Sequence, residues 1–221
     1  KSPRKRRPPK HRSRRERYTQ EGQLLQIDGS RHDWLEGRGP WLTLVGAIDD
    51  ATGKVPFALF RQQEDSQGYF LLLEGIVAGE GIPLALYHDR HSIFEHATNS
   101  TESLEEQLEG KRRPTQFGRL MEELGITSIA AHSPQAKGRV ERLWGTFQDR
   151  LVSELRLAGA STCDMANRVL WDFLPRFNVR FPVPAAQAGS VYAKPGAGFV
   201  PQEVFCFKYE RTVGIDNVVR F

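Results

Sequence analysis

Two short apolar runs with a helical segment between them constrain the fold more than any other feature of this chain. The runs are IPLALYHD at 82–89 and ITSIAAH at 126–132. Runs of this length that are apolar at nearly every position are typical of strands buried on both faces of a sheet. The segment QFGRLMEELG, between them, has helical spacing. The pattern predicts an α/β fold whose sheet is covered on both faces.

Three earlier runs have the composition of strands. They are LLQIDGS (24–30), WLTLVGAIDD (41–50) and KVPFALF (54–60), and the turn formers EGRGP and DDATGK separate them. Short apolar and β-branched runs joined by tight turns favour an antiparallel meander. We therefore predict three antiparallel strands ahead of the two buried ones.

Helical spacing of apolar residues predicts the remaining elements. DSQGYFLLLEGIVAGEG has Ser66 as a candidate N-cap and Gly79 near its end. Two more helices are predicted in SPQAKGRVERLWGTFQDRLVSELRLAG and CDMANRVLWDFLPRFN. The polar segment near 95–115 predicts a loop with room for one short helix. The order is βββαβαβαα, with a mixed five-stranded sheet flanked by helices.

The composition is that of a globular protein with one main core. Of the 221 residues, 39% are hydrophobic and 26% are charged, enough to bury one core of moderate size. No apolar run approaches the roughly 18 residues of a membrane span, and the basic N-terminus lacks the apolar stretch of a signal peptide. Cys163 and Cys206 are too few for a four-cysteine zinc site and are expected to be buried small hydrophobes. We expect a soluble intracellular protein.

Positive charge is concentrated at the N-terminus. Residues 1–17 hold ten Lys or Arg and one acid, which gives them a net charge of +9. The whole chain has a net charge of +4, so the remaining residues carry −5. With three prolines and no apolar residue, this basic arm cannot fold alone and suits binding along DNA phosphates. The alternative is a solubilising or targeting tail. The predicted DNA contacts in the arm are Arg4, Lys5, Arg6, Arg7, Lys10, Arg12, Arg14 and Arg15.

The chain divides into four predicted segments. Residues 1–20 form the basic arm and linker, and residues 21–181 form the α/β core. Residues 182–202 are rich in Pro, Gly and Ala and predict a linker. Residues 203–221 alternate around turn signals, like the first strands of a small β-barrel that the sequence cuts short. We expect the chain to be a fragment of a longer protein.

Three carboxylates occupy suggestive places in this order of elements. Asp28 lies inside the first strand, Asp89 closes the fourth, and Glu141 is an isolated acid on a later helix. Each alone has an ordinary explanation: a strand-end cap, the start of a turn, or an ion pair with Lys137. Their joint order on these elements favours a common site.

The segment SPQAKGRVE, residues 133–141, resembles the Pro-Gln-x-x-Gly-x-x-Glu segment of integrase catalytic cores. Together with Asp28 and Asp89 it is similar to the Asp-Asp-Glu (DDE) pattern of transposases and retroviral integrases. The wider pattern, including QDRLVSELRLAG and ANRVLWDFLPRFN, looks most like bacterial insertion-sequence transposases of the ISNCY group. The resemblance covers about residues 24–181 and implies an RNase H-like fold. The 51 residues between Asp89 and Glu141 exceed the retroviral spacing.

The resemblance implies a DNA transposase that cleaves transposon ends and joins the 3′-OH to target DNA. Two divalent cations about 3.5–4 Å apart would activate the nucleophile and stabilise the leaving oxygen. Asp28 would bridge the ions, Asp89 would hold one and Glu141 the other. Hard oxygen ligands favour Mg²⁺, with Mn²⁺ as a substitute.

The same resemblance implies a homodimer or higher multimer on DNA and an N-terminal helix-turn-helix region outside this sequence. With no apolar run of membrane length, we expect no membrane partner and a cytoplasmic, nucleoid-associated location. Two alternative functions remain. One is an RNase H-like, structure-specific nuclease that cuts without joining. The other is a DNA-binding protein without catalytic activity. The presence of all three carboxylates argues against this alternative.

Cations surround the predicted catalytic glutamate. Lys137, Arg139 and Arg142 are either a solvated helix face or, beside Glu141, contacts to DNA phosphates. The second interpretation is favoured because of that position.

Other polar residues near the three carboxylates have structural explanations. His88 and His91 flank Asp89 but lack partners at zinc-finger spacing, so positioning or DNA contact is favoured over zinc. Asp49 and Asp50 precede ATGK and are assigned to a hairpin turn. Amide substitutions at these two aspartates are therefore expected to leave activity unchanged.

Overall fold

A mixed five-stranded sheet lies at the centre of the fold. The computed structural model describes residues 16–95, 113–131, 138–211, 213 and 215. The strands are β1 Leu25–His32, β2 Leu42–Asp49, β3 Ala58–Arg61, β4 Ala85–His88 and β5 Thr127–Ala130. Their order across the sheet is β3-β2-β1-β4-β5, so β1 is the central strand.

Helices cover both faces of this sheet. They are α1 Ser66–Gly79, α2 Gln116–Leu124, α3 Gly138–Leu157, α4 Cys163–Arg180 and a single turn, α5 Pro201–Val204. Before α5 the described elements follow the order βββαβαβαα, as predicted. Among the described residues, no helix combines the length and apolar character needed to cross a membrane.

The strand pairings match the predicted architecture. β1 pairs antiparallel with β2, and β2 pairs antiparallel with β3, which confirms the meander. β4 joins β1 in parallel, and β5 joins β4 in parallel. The result is the mixed sheet predicted for an RNase H-like fold.

Two local predictions are wrong. The strand β5 was expected to be buried on both faces, but Thr127 and Ser128 are exposed because β5 lies at the edge of the sheet. The N-cap of α1 is Asp65 rather than Ser66, since the Asp65 carboxylate accepts a hydrogen bond of 2.7 Å from Gly68 N. A carboxylate at this position satisfies an amide that the helix itself leaves unpaired.

Alternation along the strands builds two apolar cores on opposite faces. On β2, Leu44 belongs to the core formed with α3 and α4, whereas its neighbour Val45 belongs to the core formed with α1 and α2. Successive side chains on a strand point to opposite faces, so the inner strand β2 supplies both cores. Each core contains large buried rings, such as Phe147 in the first and Tyr69 in the second.

Two asparagines of α4 cover the outer edge of the meander. Asn167 accepts a hydrogen bond of 2.7 Å from Phe60 N and donates one of 3.2 Å to Phe60 O. Asn178 does the same with the backbone of Val55, at 2.8 and 2.7 Å. The side-chain amides therefore take the place of a further strand, which protects an edge that would otherwise pair with another chain.

The C-terminal part of the described chain packs back on the α1 and α2 face. Ile82 and Ala193 form an isolated β-bridge, and the ring of Phe207 stacks on Phe70 at a centroid distance of 4.9 Å. The described residues from 203 onward contain the end of α5 and no strand. The predicted start of a β-barrel is therefore not confirmed.

Candidate active site

The parallel register of β1 and β4 places two of the predicted carboxylates at neighbouring positions. Leu25 pairs with Leu86, and Gln26 with Tyr87. Continued two residues further, this register sets Asp28 beside Asp89, which directly follows β4. Both side chains are half-buried. One strand pairing thus brings together Asp28 and Asp89, which are about sixty residues apart in the sequence.

The third predicted carboxylate is carried by a helix that is attached to Asp28. Glu141 is exposed and lies in the first turn of α3. One turn later, the buried indole of Trp144 donates a hydrogen bond of 3.0 Å from Nε1 to Asp28 Oδ2. Residues three apart lie on the same side of a helix, so this contact brings the beginning of α3 to the end of the sheet that carries Asp28.

A glycine on β2 makes room for this indole. Gly46 pairs directly with Asp28 across the β1–β2 ladder. A Cβ atom at Gly46 would lie 2.9 Å from Cη2 of Trp144, closer than packed carbon atoms approach. The ring can therefore reach Asp28 only because position 46 has no side chain.

The backbone after β4 is held by two histidines. His88 is fully buried, and its ring nitrogens contact Asp89 O at 2.6 Å and Ser128 Oγ, on β5, at 2.7 Å. His91 donates its backbone amide to Asp89 Oδ1 at 3.0 Å, which orients the carboxylate. These contacts agree with the positioning role favoured for His88.

A fourth acid, which the sequence analysis missed, lies against the strand position after Asp28. A Cβ atom on Gly29 would be 2.7 Å from Cδ and Oε2 of Glu64, so the carboxylate occupies the space above this glycine. Tyr69 of α1 donates a hydrogen bond of 2.5 Å from its hydroxyl to Glu64 Oε1. The available signal was the glycine inside a strand, which often indicates close approach of another group.

The phenol of Tyr69 is influenced by the whole acidic group. Burial, the charge and hydrogen bond of Glu64, and the charges of Asp28 and Asp89 raise the pKa of Tyr69 well above its usual value of 10.0. The phenol is therefore neutral at physiological pH and acts as a hydrogen-bond donor to Glu64.

Hard oxygen ligands are the chemistry that this group offers to a cation. Carboxylates such as Asp28 and Asp89 are the donors that Mg²⁺ prefers, so the donor set fits that ion. Within the part of the chain that the structure describes, however, no three His, Cys, Asp or Glu side chains are arranged to hold a metal ion. Metal binding by the three predicted residues therefore stays a prediction.

Asp49 and Asp50 lie at the hairpin turn, as predicted, but both side chains are fully buried. Asp49 accepts hydrogen bonds from Gly22 N at 2.9 Å and from Thr52 N at 2.7 Å. Burial raises the pKa of Asp49 and these hydrogen bonds oppose the rise. A buried and bonded carboxylate is structurally demanding, which argues against the expectation that amide substitutions at these positions leave activity unchanged.

Asp50 is paired with one of the predicted DNA contacts. Arg139 Nη1 lies 2.5 Å from Asp50 Oδ1, and the Arg139 side chain is only 13% exposed. Its contact to DNA phosphate stays a prediction, and in this structure the guanidinium faces the protein. Arg142 is exposed on α3. Lys137 and the arm residues from Arg4 to Arg15 lie outside the described residues.

Comparison with known proteins finds relatives in sequence and in structure, among them two bacterial proteins and one intasome chain. The protein named "Putative transposase y4bF" of Sinorhizobium fredii is 40% identical over 213 residues, which are 95% of this chain and 44% of that protein. The "Transposase for insertion sequence IS1202" of Streptococcus pneumoniae is 39% identical over 161 residues, or 72% of this chain and 33% of that protein. The chain thus spans less than half the length of both relatives. No protein-family model matches it.

One of the similar structures is the simian T-cell lymphotropic virus intasome in complex with PP2A regulatory subunit B56 gamma. One of its chains superposes with a TM-score of 0.54 and 18% identity, covering 87% of this chain and 65% of that one. At this identity the likeness shows the fold alone. By its sequence similarity to these two relatives, the chain belongs to the transposases, and the superposition shows a fold shared with the intasome chain.

Proposed function

We propose that this chain is the catalytic core of a DNA transposase that cleaves transposon ends and joins the 3′-OH to target DNA. The observation that supports the proposal is the hydrogen bond from Trp144 to Asp28, which joins the helix of Glu141 to the strand of Asp28. The β1–β4 register, if continued by two residues, would also set Asp28 alongside Asp89. The names of the two bacterial relatives support the same activity.

The three carboxylates would hold divalent cations, with Mg²⁺ favoured because all the ligands are hard oxygens. When bound, such ions supply Lewis-acid stabilisation of charge on the attacking and leaving oxygens. The protein's own contribution is orientation. Trp144 donates a hydrogen bond to Asp28 and the His91 amide donates one to Asp89, so these two carboxylates would be oriented before substrate arrives.

DNA is the proposed substrate and partner. The +9 charge of residues 1–17 would follow the phosphate backbone, and exposed Arg142 would contact phosphate near Glu141. Action on two transposon ends would require a homodimer or higher multimer.

Isosteric amide substitutions test the carboxylates. Asp28→Asn, Asp89→Asn and Glu141→Gln should each abolish both nicking and joining of labelled ends. Folding and DNA affinity should change little, because Asn can still accept the hydrogen bonds from Trp144 and His91. The matched control is Asp149→Asn, an exposed acid later on α3, which should keep full activity. An active Glu141→Gln variant would remove this residue from the site.

Product analysis separates transposition from nuclease activity. With labelled ends and a target plasmid, the proposed function gives both nicked and joined products. Nicked products without any joined product would indicate an RNase H-like nuclease. Binding without either product would indicate a non-catalytic DNA-binding protein.

The identity of the ion has its own test. Mg²⁺ or Mn²⁺ should support reaction, whereas Ca²⁺ should permit DNA binding with little turnover because its coordination is longer and looser. Activity that persists in excess EDTA would contradict the metal-dependent mechanism.

A further inference from the structure

A buried ion pair stands beside the proposed catalytic helix. Asp50 has no exposed surface, and its Oδ1 lies 2.5 Å from Nη1 of Arg139. In the other ion pairs of the described residues, every carboxylate side chain is at least 23% exposed. Water screens a buried pair of this kind only weakly. Removing one member would leave the charge of the other buried without its counter-charge.

Asp50 is also bonded to the strand that carries Asp28. Gln26 donates a hydrogen bond of 2.7 Å from Nε2 to Asp50 Oδ1. Gln26 precedes Asp28 by two residues on β1, so the two side chains point to the same face of the sheet. The backbone amide of Tyr18 donates to Oδ2 of the same carboxylate at 2.9 Å. The carboxylate of Asp50 thus links β1 to the beginning of α3.

Glu141 lies between the two contacts that attach α3 to the sheet. Arg139 precedes it by two residues and reaches Asp50, while Trp144 follows it by three residues and reaches Asp28. The first turn of a helix has amides without intrahelical partners and tends to fray. With contacts on both sides, the first turn that carries Glu141 is restrained in position and in rotation.

We propose that Arg139 is a positioning residue for Glu141, acting through the buried carboxylate of Asp50. This inference rests on the proposed role of Glu141 as a metal ligand. Arg139 is thereby assigned to the protein interior and not to a DNA phosphate. Without the pair, the first turn of α3 shifts, and a displacement of about 1 Å at a reacting group is enough to reduce a rate by about a hundredfold.

The test measures Mn²⁺ binding by electron paramagnetic resonance with the 221-residue chain, beside DNA affinity over a salt series. Arg139→Gln should weaken Mn²⁺ binding by about ten- to a hundredfold, as is usual when a residue supporting a metal ligand is lost. The affinity for DNA and its salt slope should stay close to the original values. Asp50→Asn should have the same effect, and the double variant should be no worse than either single variant.

Arg176→Gln is the matched control. Arg176 of α4 pairs with Glu154 at 2.9 Å, and this pair is largely exposed. Glu154 lies on α3, as Glu141 does, but thirteen residues after it. Its removal should leave Mn²⁺ binding unchanged. If Arg139→Gln does not fold, Arg139→Lys, which keeps the cation, should bind Mn²⁺ more tightly than Asp50→Asn does.

A phosphate contact at Arg139 predicts a different result. DNA affinity would fall, its salt slope would flatten by about one unit, and Mn²⁺ binding would be unchanged; this outcome overturns the inference. If the original chain joins ends and Arg139→Gln binds Mn²⁺ equally well, the inference fails and the proposed function stands. If the original chain neither binds Mn²⁺ nor joins ends, the proposed function fails as well.

Discussion

The indole Nε1 of Trp144 donates a hydrogen bond to Asp28 Oδ2 at 3.0 Å, joining a helix and a strand that are 116 residues apart in the chain. This contact determines where the first turn of α3, with Glu141, lies relative to the end of β1. It also gives a core aromatic residue a role at the candidate site.

Trp144→Phe should affect both stability and activity. The variant keeps an aromatic ring in the core but loses the donor to a carboxylate, so the free energy of unfolding should fall by about 1–3 kcal/mol. Joining should slow at least tenfold at saturating DNA. The control is Trp171→Phe on α4, whose indole donates to Ala58 O at 3.1 Å away from the site. It should lose stability without slowing joining; equal slowing of both variants would mean that only stability is involved.

Gly29→Ala should displace the Glu64 carboxylate. The new Cβ would lie 2.7 Å from that group, so we expect a loss of about 1–3 kcal/mol in unfolding free energy, as for other overpacked sites. In a Glu64→Ala background the same change should cost much less, because the space is then free. Chemical denaturation of the four proteins measures the coupling. Strictly additive losses would show that the two residues do not compete for this space.

The pairing of Glu36 predicts a pH-dependent contribution to stability. Hydrogen bonds from Arg156 and Arg38 lower the pKa of Glu36 to about 2, from 4.5. Because the folded pKa lies below the unfolded one, the contribution is fully present above pH 4.5 and is lost as the pH falls toward 2. Glu36→Gln should therefore lower Tm at pH 6 and have a smaller effect at pH 3. A Tm difference that stays constant between these two pH values would contradict the assignment.

Deleting residues 1–15 should flatten the salt dependence of DNA binding. Arg17 is kept because its guanidinium donates to the backbone oxygen of Asp50 at 3.1 Å. Each lost phosphate contact removes about 0.9 from the slope of log affinity against log salt, so a change of several units is expected. Affinity for end DNA and for unrelated DNA, measured over a salt series, should fall to a similar extent. An unchanged slope would indicate a solubilising or targeting tail.

The order of elements and the three candidate carboxylates could be predicted from the sequence because both depend on local signals. Apolar periodicity distinguishes strands from helices, and turn formers mark the meander. The motif around Glu141 resembles a known family segment, and the comparisons confirm that family. The Asp49–Asp50 turn was recognised for the same reason, since ATGK is a local turn signal.

The contacts between these residues depend on the tertiary structure. The burial of Asp50 against Arg139, the position of Glu64 above Gly29, and the contact of Trp144 with Asp28 each join residues that are distant in sequence. The exposed edge of β5 likewise depends on its place in the sheet. Periodicity reports which residues prefer to be buried, but not which partner they have when buried. Partner choice follows from strand register and helix packing, and these are properties of the whole folded chain.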